Sequence, residues 1–375
     1  MSPLKSIPMK PSAFCVTVAF LFLMAGNNPG TAEGWEVVTL AGNGVAGYSG
    51  DGKPAKEAKI NNPYGIVKGP DGCVYFCDMD NQVIRVIDKN GEIGTVVGTG
   101  RRGRATEGTL AREADLNEPY EVRFDPAGNL VFVEMKGAVV RMVEKNSGRL
   151  RTLAGTGTEG FGGDGDEGPR AGLRQPHSIQ FDSSGCLLIC DIGNHRIRKV
   201  AKDGKIQTIS GTGEARETDQ KALMAEAALN GPRAIDFDSK GNLWLALREG
   251  NAVYRSEGKM PKANWLLMAG TGEKGFAGNG GPAKAAQLSG PKGISVGPAG
   301  DVFLADTESH TIRVIRGATG VMDCVLGDGQ RGNGEAEDPA RCRLARPHGV
   351  FATTTGEVLV ADSENHKIRL LRPKR

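Results

Sequence analysis

The sequence has few aromatic residues, no excess of either charge and only one long apolar run. Aromatic side chains make up 5% of the chain whereas Gly occurs 55 times. This excludes a fold built on long helices and predicts tight turns and short strands. The 47 basic and 44 acidic residues leave a net charge of +3, too balanced for a protein that works mainly on nucleic acid. We therefore expect a turn-rich β protein without a nucleic-acid partner.

The apolar run extends from Ala13 to Ala25 and lies between two lysines and a stretch of small residues. It is shorter than the ~20 residues of a membrane-spanning helix, and no cysteine directly follows it as a lipid acceptor. This pattern is typical of a secretory signal peptide. We predict a signal peptide over residues 1–32, cleaved after Ala32. The mature protein, residues 33–375, is expected to be secreted or periplasmic and not inserted in the membrane.

One pattern repeats six times, and a landmark proline marks each unit at spacings of 56 to 59 residues. After the proline come a strand, a tight turn ending in Gly, a continuously apolar second strand, and a third strand. A fourth strand then ends in Gly-x-Gly. A strand without alternation is buried on both faces, as in a small sheet packed between two like sheets. Four strands per unit around an axis make a β-propeller blade. The landmark residues are Pro63, Pro119, Pro176, Pro232, Pro291 and Pro347.

The two ends of the chain complement each other. The sixth unit stops after its third strand, at Leu371, whereas Val37 to Leu40 precede the first unit. We predict that this N-terminal segment supplies the outer strand of the last blade, because closure removes an exposed sheet edge. Residues 33–375 are thus expected to form a single all-β domain, a six-bladed propeller of four-stranded blades, present as a monomer.

The unit G-[IV]-x-x-x-x-x-G-x-[LV]-x-x-[AC]-D-x-x-[NS]-H-x-[IV]-R resembles the NHL repeat, and the resemblance covers essentially the whole mature chain. It implies a six-bladed propeller that often serves as a binding platform. Peptidyl-hydroxyglycine amidating lyases and gluconolactonase-like propellers are implied as distant relatives.

Two charged positions vary together among the units. Five units end the second strand with an acid and carry Arg seven residues later, whereas the fourth has Leu247 and Tyr254. Losing both partners together indicates a buried ion pair, since a lone buried charge costs several kcal/mol. We predict a structural role for these pairs and for the turn residues His195, His310 and His366, which we expect to form hydrogen bonds. The pairs are Asp78 with Arg85, Glu134 with Arg141, Asp191 with Arg198, Asp306 with Arg313, and Asp362 with Arg369.

Two cysteines lie close together in the fifth unit. Cys324 is on a predicted fourth strand and Cys342 is in the connector that follows. Because an exported protein can form disulfides, we predict a bridge between them.

The residue after each landmark proline is polar and differs between most units. These six side chains should be exposed around one mouth of the central channel. Because they differ between most of the blades, a specific site would arise there. We predict that they form a ligand-binding site. The residues are Tyr64, Tyr120, His177, Arg233, Lys292 and His348.

Arg233 and Lys292 favour an anionic ligand, whether carboxylate, phosphate or acidic sugar. His177 and His348 stand in Pro-His sequences similar to the metal-binding sequences of the zinc-dependent amidating lyases. That resemblance implies a divalent metal such as zinc on these two histidines, with a third ligand missing unless Glu121 contributes. Our favoured hypothesis is an exported binding module for a small anionic molecule, a glycan or a protein. The alternative is a metal-assisted lyase or lactone hydrolase at the mouth, with catalytic residues not identified.

Overall fold

The computed structural model describes residues 34–219, 221–260, 262–334 and 338–374, so the predicted signal peptide lies outside the described residues. The described chain forms six antiparallel sheets. Each innermost strand contacts those of both neighbouring sheets, and the sixth returns to the first. The predicted six-bladed propeller is therefore confirmed. No helix among the described residues is long and apolar enough to cross a membrane.

Each blade has four main strands, which follow one another from the channel outward. Blade 1 comprises Pro63–Lys68, Val74–Asp78, Val83–Ile87 and Glu92–Val97; blade 2 comprises Pro119–Phe124, Leu130–Glu134, Val139–Val143 and Leu150–Ala154. Blade 3 comprises Pro176–Phe181, Leu187–Asp191, Arg196–Val200 and Ile206–Ser210; blade 4 comprises Pro232–Phe237, Leu243–Leu247, Ala252–Glu257 and Asn264–Ala269. Blade 5 comprises Pro291–Val296, Val302–Asp306, Thr311–Ile315 and Val321–Leu326; blade 6 comprises Val350–Ala352, Val358–Asp362, Lys367–Pro373 and Trp35–Ala41.

Short elements in the described residues complete the blades. The two-residue strands Lys53–Pro54 and Gly281–Pro282 add to the outer edges of blades 1 and 5. The 3₁₀ turns are Ala55–Glu57, Met79–Asn81, Ala111–Glu113, Gly168–Arg170, Ile192–Asn194, Met224–Glu226, Ala283–Ala285, Thr307–Ser309 and Ser363–Asn365.

The N-terminal strand closes the ring, as predicted. It pairs antiparallel with Lys367–Pro373, and Val37 lies opposite Leu371. Two side-chain contacts reinforce this pairing: Arg369 donates to Thr39 Oγ1 at 2.7 Å, and Arg372 donates to Glu36 Oε1 at 2.7 Å. The outer strand of blade 6 thus comes from the opposite end of the chain.

The second strands are buried along their whole length in five blades, as their unbroken apolar sequence predicts. Every residue of Leu130–Glu134 is buried. Side chains of adjacent blades share apolar clusters; the fully buried Trp265 packs in the one that joins blades 3 and 4. The core of the protein therefore lies between the blades, and the channel is left free for polar side chains.

The predicted acid and arginine pairs are present in all five blades, with nitrogen to oxygen distances from 3.2 to 3.5 Å. Each arginine also donates to a backbone carbonyl of the connector that packs on it, as Arg85 does to Ser49 O at 3.2 Å. In blade 4 the hydroxyl of Tyr254 donates to Thr218 O at 3.1 Å. The tyrosine thus makes the hydrogen bond to the connector that arginine makes in the other blades. Because its hydroxyl is uncharged, it needs no acidic partner.

The turn histidines link neighbouring blades. His310 Nδ1 accepts a hydrogen bond from Arg346 N at 3.2 Å, and His366 Nδ1 accepts one from Asn62 N at 3.2 Å. Gln82, which replaces histidine in blade 1, accepts from Glu118 N at 2.7 Å. The predicted hydrogen-bonding role is confirmed for these turns, and it is a role between blades.

The predicted disulfide is absent, because Cys324 is a free thiol. The Cys324 thiol donates to Gly327 O at 3.2 Å and the Cys342 thiol to Gly334 O at 3.5 Å. Burial raises the pKa of Cys324 to about 12. Closeness in the sequence therefore did not predict a disulfide correctly here. Each thiol instead donates to a backbone carbonyl of its own.

Candidate ligand-binding site at the channel mouth

All six predicted residues line one cavity of about 590 Å³ at the channel mouth. In every unit the residue before the landmark proline has a positive φ, for example 58° at Glu118 and 48° at Arg346. This left-handed residue turns the chain into the innermost strand, so the side chain after the proline lies at the mouth. The cavity has the size of a small-molecule pocket.

The predicted exposure of these side chains is wrong. Five of the six are less than a tenth exposed, and only Tyr64 is half-buried. They are buried because they pack on one another: Tyr64 stacks on His348 at 3.9 Å between ring centroids, and Tyr120 meets His177 edge-on at 4.4 Å. The mouth is thus a packed collar of aromatic and cationic groups.

Blades 5 and 6 contribute a charged network to the mouth. Lys292 Nζ lies 3.0 Å from Glu308 Oε1 and 3.2 Å from His348 Nε2. Arg346 donates to both oxygens of Glu308, at 2.7 and 3.0 Å, and also to Glu364. Burial alone would raise the pKa of Glu308, but bonds from Arg346 and Lys292 outweigh it and lower the pKa to about 2. One carboxylate of the mouth therefore binds both the guanidinium of Arg346 and the amine of Lys292.

Arg233 is the unusual member of the collar. Its side chain is buried, and among the described residues it has neither a hydrogen bond nor an ion pair. Its guanidinium instead contacts the ring of Tyr120, 4.8 Å from the guanidinium carbon to the centroid. The nearby Glu249 is bonded to Arg248 at 2.5 Å. Burial, with the charge of Arg248, lowers the pKa of Arg233 to about 9.

His177 presents one ring nitrogen to the cavity. Its Nδ1 lies 2.6 Å from Gln175 O, and a carbonyl only accepts, so Nδ1 carries the proton. Burial, with the charge of Arg248, lowers the pKa of His177 to about 3. The histidine is therefore neutral at physiological pH, and its Nε2 is an acceptor but a weak base.

The two histidines do not fit a zinc site. Both nitrogens of His348 are engaged, Nδ1 by Arg346 O and Ser363 Oγ and Nε2 by Lys292. Glu121, the suggested third ligand, is bonded to Arg123 at 2.5 Å. No group of three or more His, Cys, Asp or Glu side chains in the described part of the chain could hold a metal. A structural zinc site uses four ligands and a catalytic one three.

Sequence reasoning missed Glu308, Arg346 and Arg248, which also shape the mouth. Arg346 directly precedes a landmark proline. That position holds Asn62, Glu118, Gln175, Gly231, Gly290 and Arg346 in the six units. The residue before the proline varies among the units just as the residue after it does. Comparing the repeats could therefore have identified this position too.

A larger hollow of about 1100 Å³ lies between the outer parts of blades 2 and 3. Two of its charged side chains have partners, since Arg104 donates to Thr156 O at 2.7 Å and Glu107 accepts from Thr152 N at 3.0 Å, and Arg151 is exposed to solvent. The mouth, where the buried Arg233 has no ion-pair partner among the described residues, is the better candidate for a ligand.

Fold and collar together define a β-propeller with a cavity of about 590 Å³ at its channel mouth. The family described as "Teneurin NHL domain" matches residues 29–106 and 233–342, and "NHL repeat" matches residues 344–369. These matches cover more than half of the sequence. The chain belongs to the NHL-repeat family, which confirms the resemblance.

Relatives share only part of their length with this chain. Teneurin-m of Drosophila melanogaster is 31% identical over 194 residues, covering 47% of this chain and 7% of that protein. NHL repeat-containing protein 2 of Bos taurus is 28% identical over 299 residues, covering 69% of this chain and 39% of that protein. The chain thus spans well under half of either relative.

Solved structures show the same fold at low identity. An auxiliary nutrient binding protein from Bacteroides thetaiotaomicron has a TM-score of 0.65 and 14% identity, covering 91% of this chain and 77% of that one. A putative gluconolactonase has a TM-score of 0.56 and 11% identity, covering 91% and 93%. These likenesses concern the fold alone, and they place a gluconolactonase-like propeller among the structural neighbours of this chain.

Proposed function

We propose that the protein is a binding module whose mouth cavity takes a small anionic ligand. The observation that carries the proposal is Arg233, a buried guanidinium without a counter-ion among the described residues. An uncompensated buried cation is unfavourable, whereas a carboxylate or phosphate on it would form short, charge-assisted hydrogen bonds. An anion at this point would complete the collar.

The rest of the cavity supports a small ligand with an uncharged body. The blade 1 to 3 side is lined by Tyr64, Tyr120, Met79 and Met135, with Glu118 paired to Arg102 at 3.0 Å, whereas Arg233 and Lys292 line the blade 4 and 5 side. The neutral His177 offers an acceptor between these two regions. A carboxylate, a phosphate ester or an acidic sugar suits this division of the walls.

The alternative, a metal-assisted lyase or lactone hydrolase, has less support. It needs a metal that the two histidines do not fit and a base stronger than His177. We keep it as the second hypothesis because lactonase-like propellers share the fold. Export of the mature protein, and with it an extracytoplasmic ligand, also belongs to the proposal and rests on the N-terminal sequence pattern.

Calorimetric titration of the mature protein with lactate, inorganic phosphate and glucuronate tests the binding proposal. We expect at least one anion to bind the wild type and to lose measurable affinity in Arg233→Met. Arg151→Met, which removes an exposed arginine at the hollow between blades 2 and 3, is the matched control and should bind as the wild type does. Binding that ignores Arg233 would place the functional surface elsewhere on the propeller.

A further inference from the structure

The amine of Lys292 lies at the cavity wall beside Arg233. Its side chain is 4% exposed, and its nitrogen is held between a carboxylate oxygen of Glu308 at 3.0 Å and His348 Nε2 at 3.2 Å. Lysine side chains are rarely buried in this way unless they are paired. Here the carboxylate that would pair with the amine is already bonded twice by Arg346.

The hydrogen bonds around Lys292 leave one direction free. His348 Nδ1 lies 2.9 Å from Arg346 O, so Nδ1 carries the proton and Nε2 is an acceptor. Lys292 therefore donates to both Glu308 and His348. A neutral amine has two hydrogens, and both are used by these acceptors. Its lone pair is left for the remaining tetrahedral direction, toward the cavity that Lys292 lines.

The charge state fits a nucleophile. Burial, followed by the charge of Arg233, lowers the pKa of Lys292 to about 7. An ordinary lysine, with a pKa near ~10.4, is almost fully protonated at neutral pH. Desolvation beside another cation is the setting in which lysines become reactive toward carbonyl groups.

We propose that Lys292 forms an imine with a ligand that carries a carbonyl group next to the acid bound by Arg233, that is, a small 2-oxo acid or aldehydic acid. This inference rests on the proposed function and specifies its ligand class. The amine nitrogen adds to the carbonyl carbon, and the carbonyl π electrons move to oxygen. One proton then passes from the positively charged nitrogen to the negatively charged oxygen, giving a neutral carbinolamine. Solvent then supplies a proton to the hydroxyl, which leaves as water while the nitrogen lone pair forms the C=N bond of a protonated imine, without any oxidant or reductant.

The neighbours suit the product as well. A protonated imine keeps one N–H and one positive charge. Glu308, whose pKa is lowered to about 2, stays ionised to accept that N–H and balance that charge. The same carboxylate therefore positions the amine before condensation and stabilises the iminium afterwards.

Reductive trapping tests the inference. The mature protein is incubated with pyruvate and cyanoborohydride at neutral pH, and the modified residue is located by peptide mapping. We expect Lys292 to be labelled at least about tenfold faster than any exposed lysine, since an amine of pKa about 7 has roughly a thousandfold larger neutral fraction at pH 7. Lys292→Arg should abolish the fast phase, and Lys284→Arg, a change at an exposed connector lysine, should leave it intact.

Two further probes separate this inference from the proposed function. Lactate has the acid but no carbonyl, so it should compete with pyruvate through Arg233 without being trapped. Propanal has the carbonyl but no acid, so it should label Lys292 more slowly than pyruvate does. Lactate binding together with label spread evenly over surface lysines would overturn the imine and leave the anion site standing. Fast labelling of Lys292 that lactate and Arg233→Met do not affect would overturn the anion site instead. Peptide mapping of the wild type decides the first case even if a variant does not fold.

Discussion

Replacing Arg233 by methionine should act on stability and on binding in opposite directions. In the free protein this change removes a buried cation whose Nε has no hydrogen-bond partner in the described chain. An unsatisfied buried polar group costs about 1–3 kcal/mol. Methionine keeps a similar length of apolar stem against Tyr120, although it loses a cation–π contact of about 0.5–2 kcal/mol. The net expectation is a gain in unfolding free energy of roughly 1 kcal/mol, within a range from about 1 kcal/mol lower to about 2.5 kcal/mol higher.

A bound anion should make the wild type more stable than Arg233→Met. An anion at 100 times its dissociation constant stabilises the wild type by about 2.7 kcal/mol. Arg233→Met should gain almost none of that increment, because the charge-assisted bonds are gone. Urea unfolding with and without the tightest anion of the titration series measures both effects on the same samples.

Arg313→Met provides the matched control. Arg313 is also fully buried, but it pairs with Asp306 at 3.5 Å. Removing it leaves a buried carboxylate without its cation, which should lower the unfolding free energy by about 3–5 kcal/mol. If Arg233→Met destabilised the free protein as much as Arg313→Met does, Arg233 would be a structural residue with a partner of its own, and the argument for an anion site would fail.

Three other predictions concern closure, pH and the thiols. Deleting residues 34–44 removes the outer strand of blade 6, so cooperative unfolding should be lost and aggregation should increase; an unchanged melting transition would contradict the closure by this strand. Lys292 has a pKa of about 7 when folded and near ~10.4 when unfolded, so its charge weakens the fold fully below pH 7 and progressively less up to pH ~10.4. The unfolding free energy of the wild type relative to Lys292→Met should therefore rise between pH 7 and ~10, and a flat difference would show that the amine is not desolvated. Cys324 and Cys342 should resist alkylation in the native protein and both react after unfolding without reductant, whereas a pair that stays unreactive would restore the disulfide.

Comparison of the repeats with one another predicted most of the fold. The acid and arginine positions were identifiable because blade 4 loses both at once, and the structure shows Tyr254 making the connector bond instead. The spacing of the repeats does not reveal this hydrogen bond, because its acceptor, Thr218, lies in a connector whose path depends on the assembled blade. Positions fixed by symmetry are thus predictable, and the partners of side chains that leave the blade are not.

The mouth illustrates the same limit. The residue after each landmark proline could be assigned to the channel from the repeat alone, and all six line one cavity. Their burial could not be assigned, because it arises from contacts between blades, such as Tyr64 on His348. Glu308 was missed for a related reason: it comes from the turn after the second strand of blade 5 and reaches Arg346 at the entrance to blade 6.

The pairing of Trp35–Ala41 with Lys367–Pro373 has a consequence for the order of folding. Trp35–Ala41 is synthesised before blades 1 to 5 and cannot pair until Lys367–Pro373 has been made after them. Blades 1 to 5 take all four of their main strands from one continuous stretch each, so their contacts are local and form early. Blade 6 requires the ends of the chain to meet and is expected to form last. Until then Trp35–Ala41 and the outer edge of Lys367–Pro373 lack a partner strand. Unpaired strand edges can pair with other molecules, so the protein is most prone to aggregation during this period.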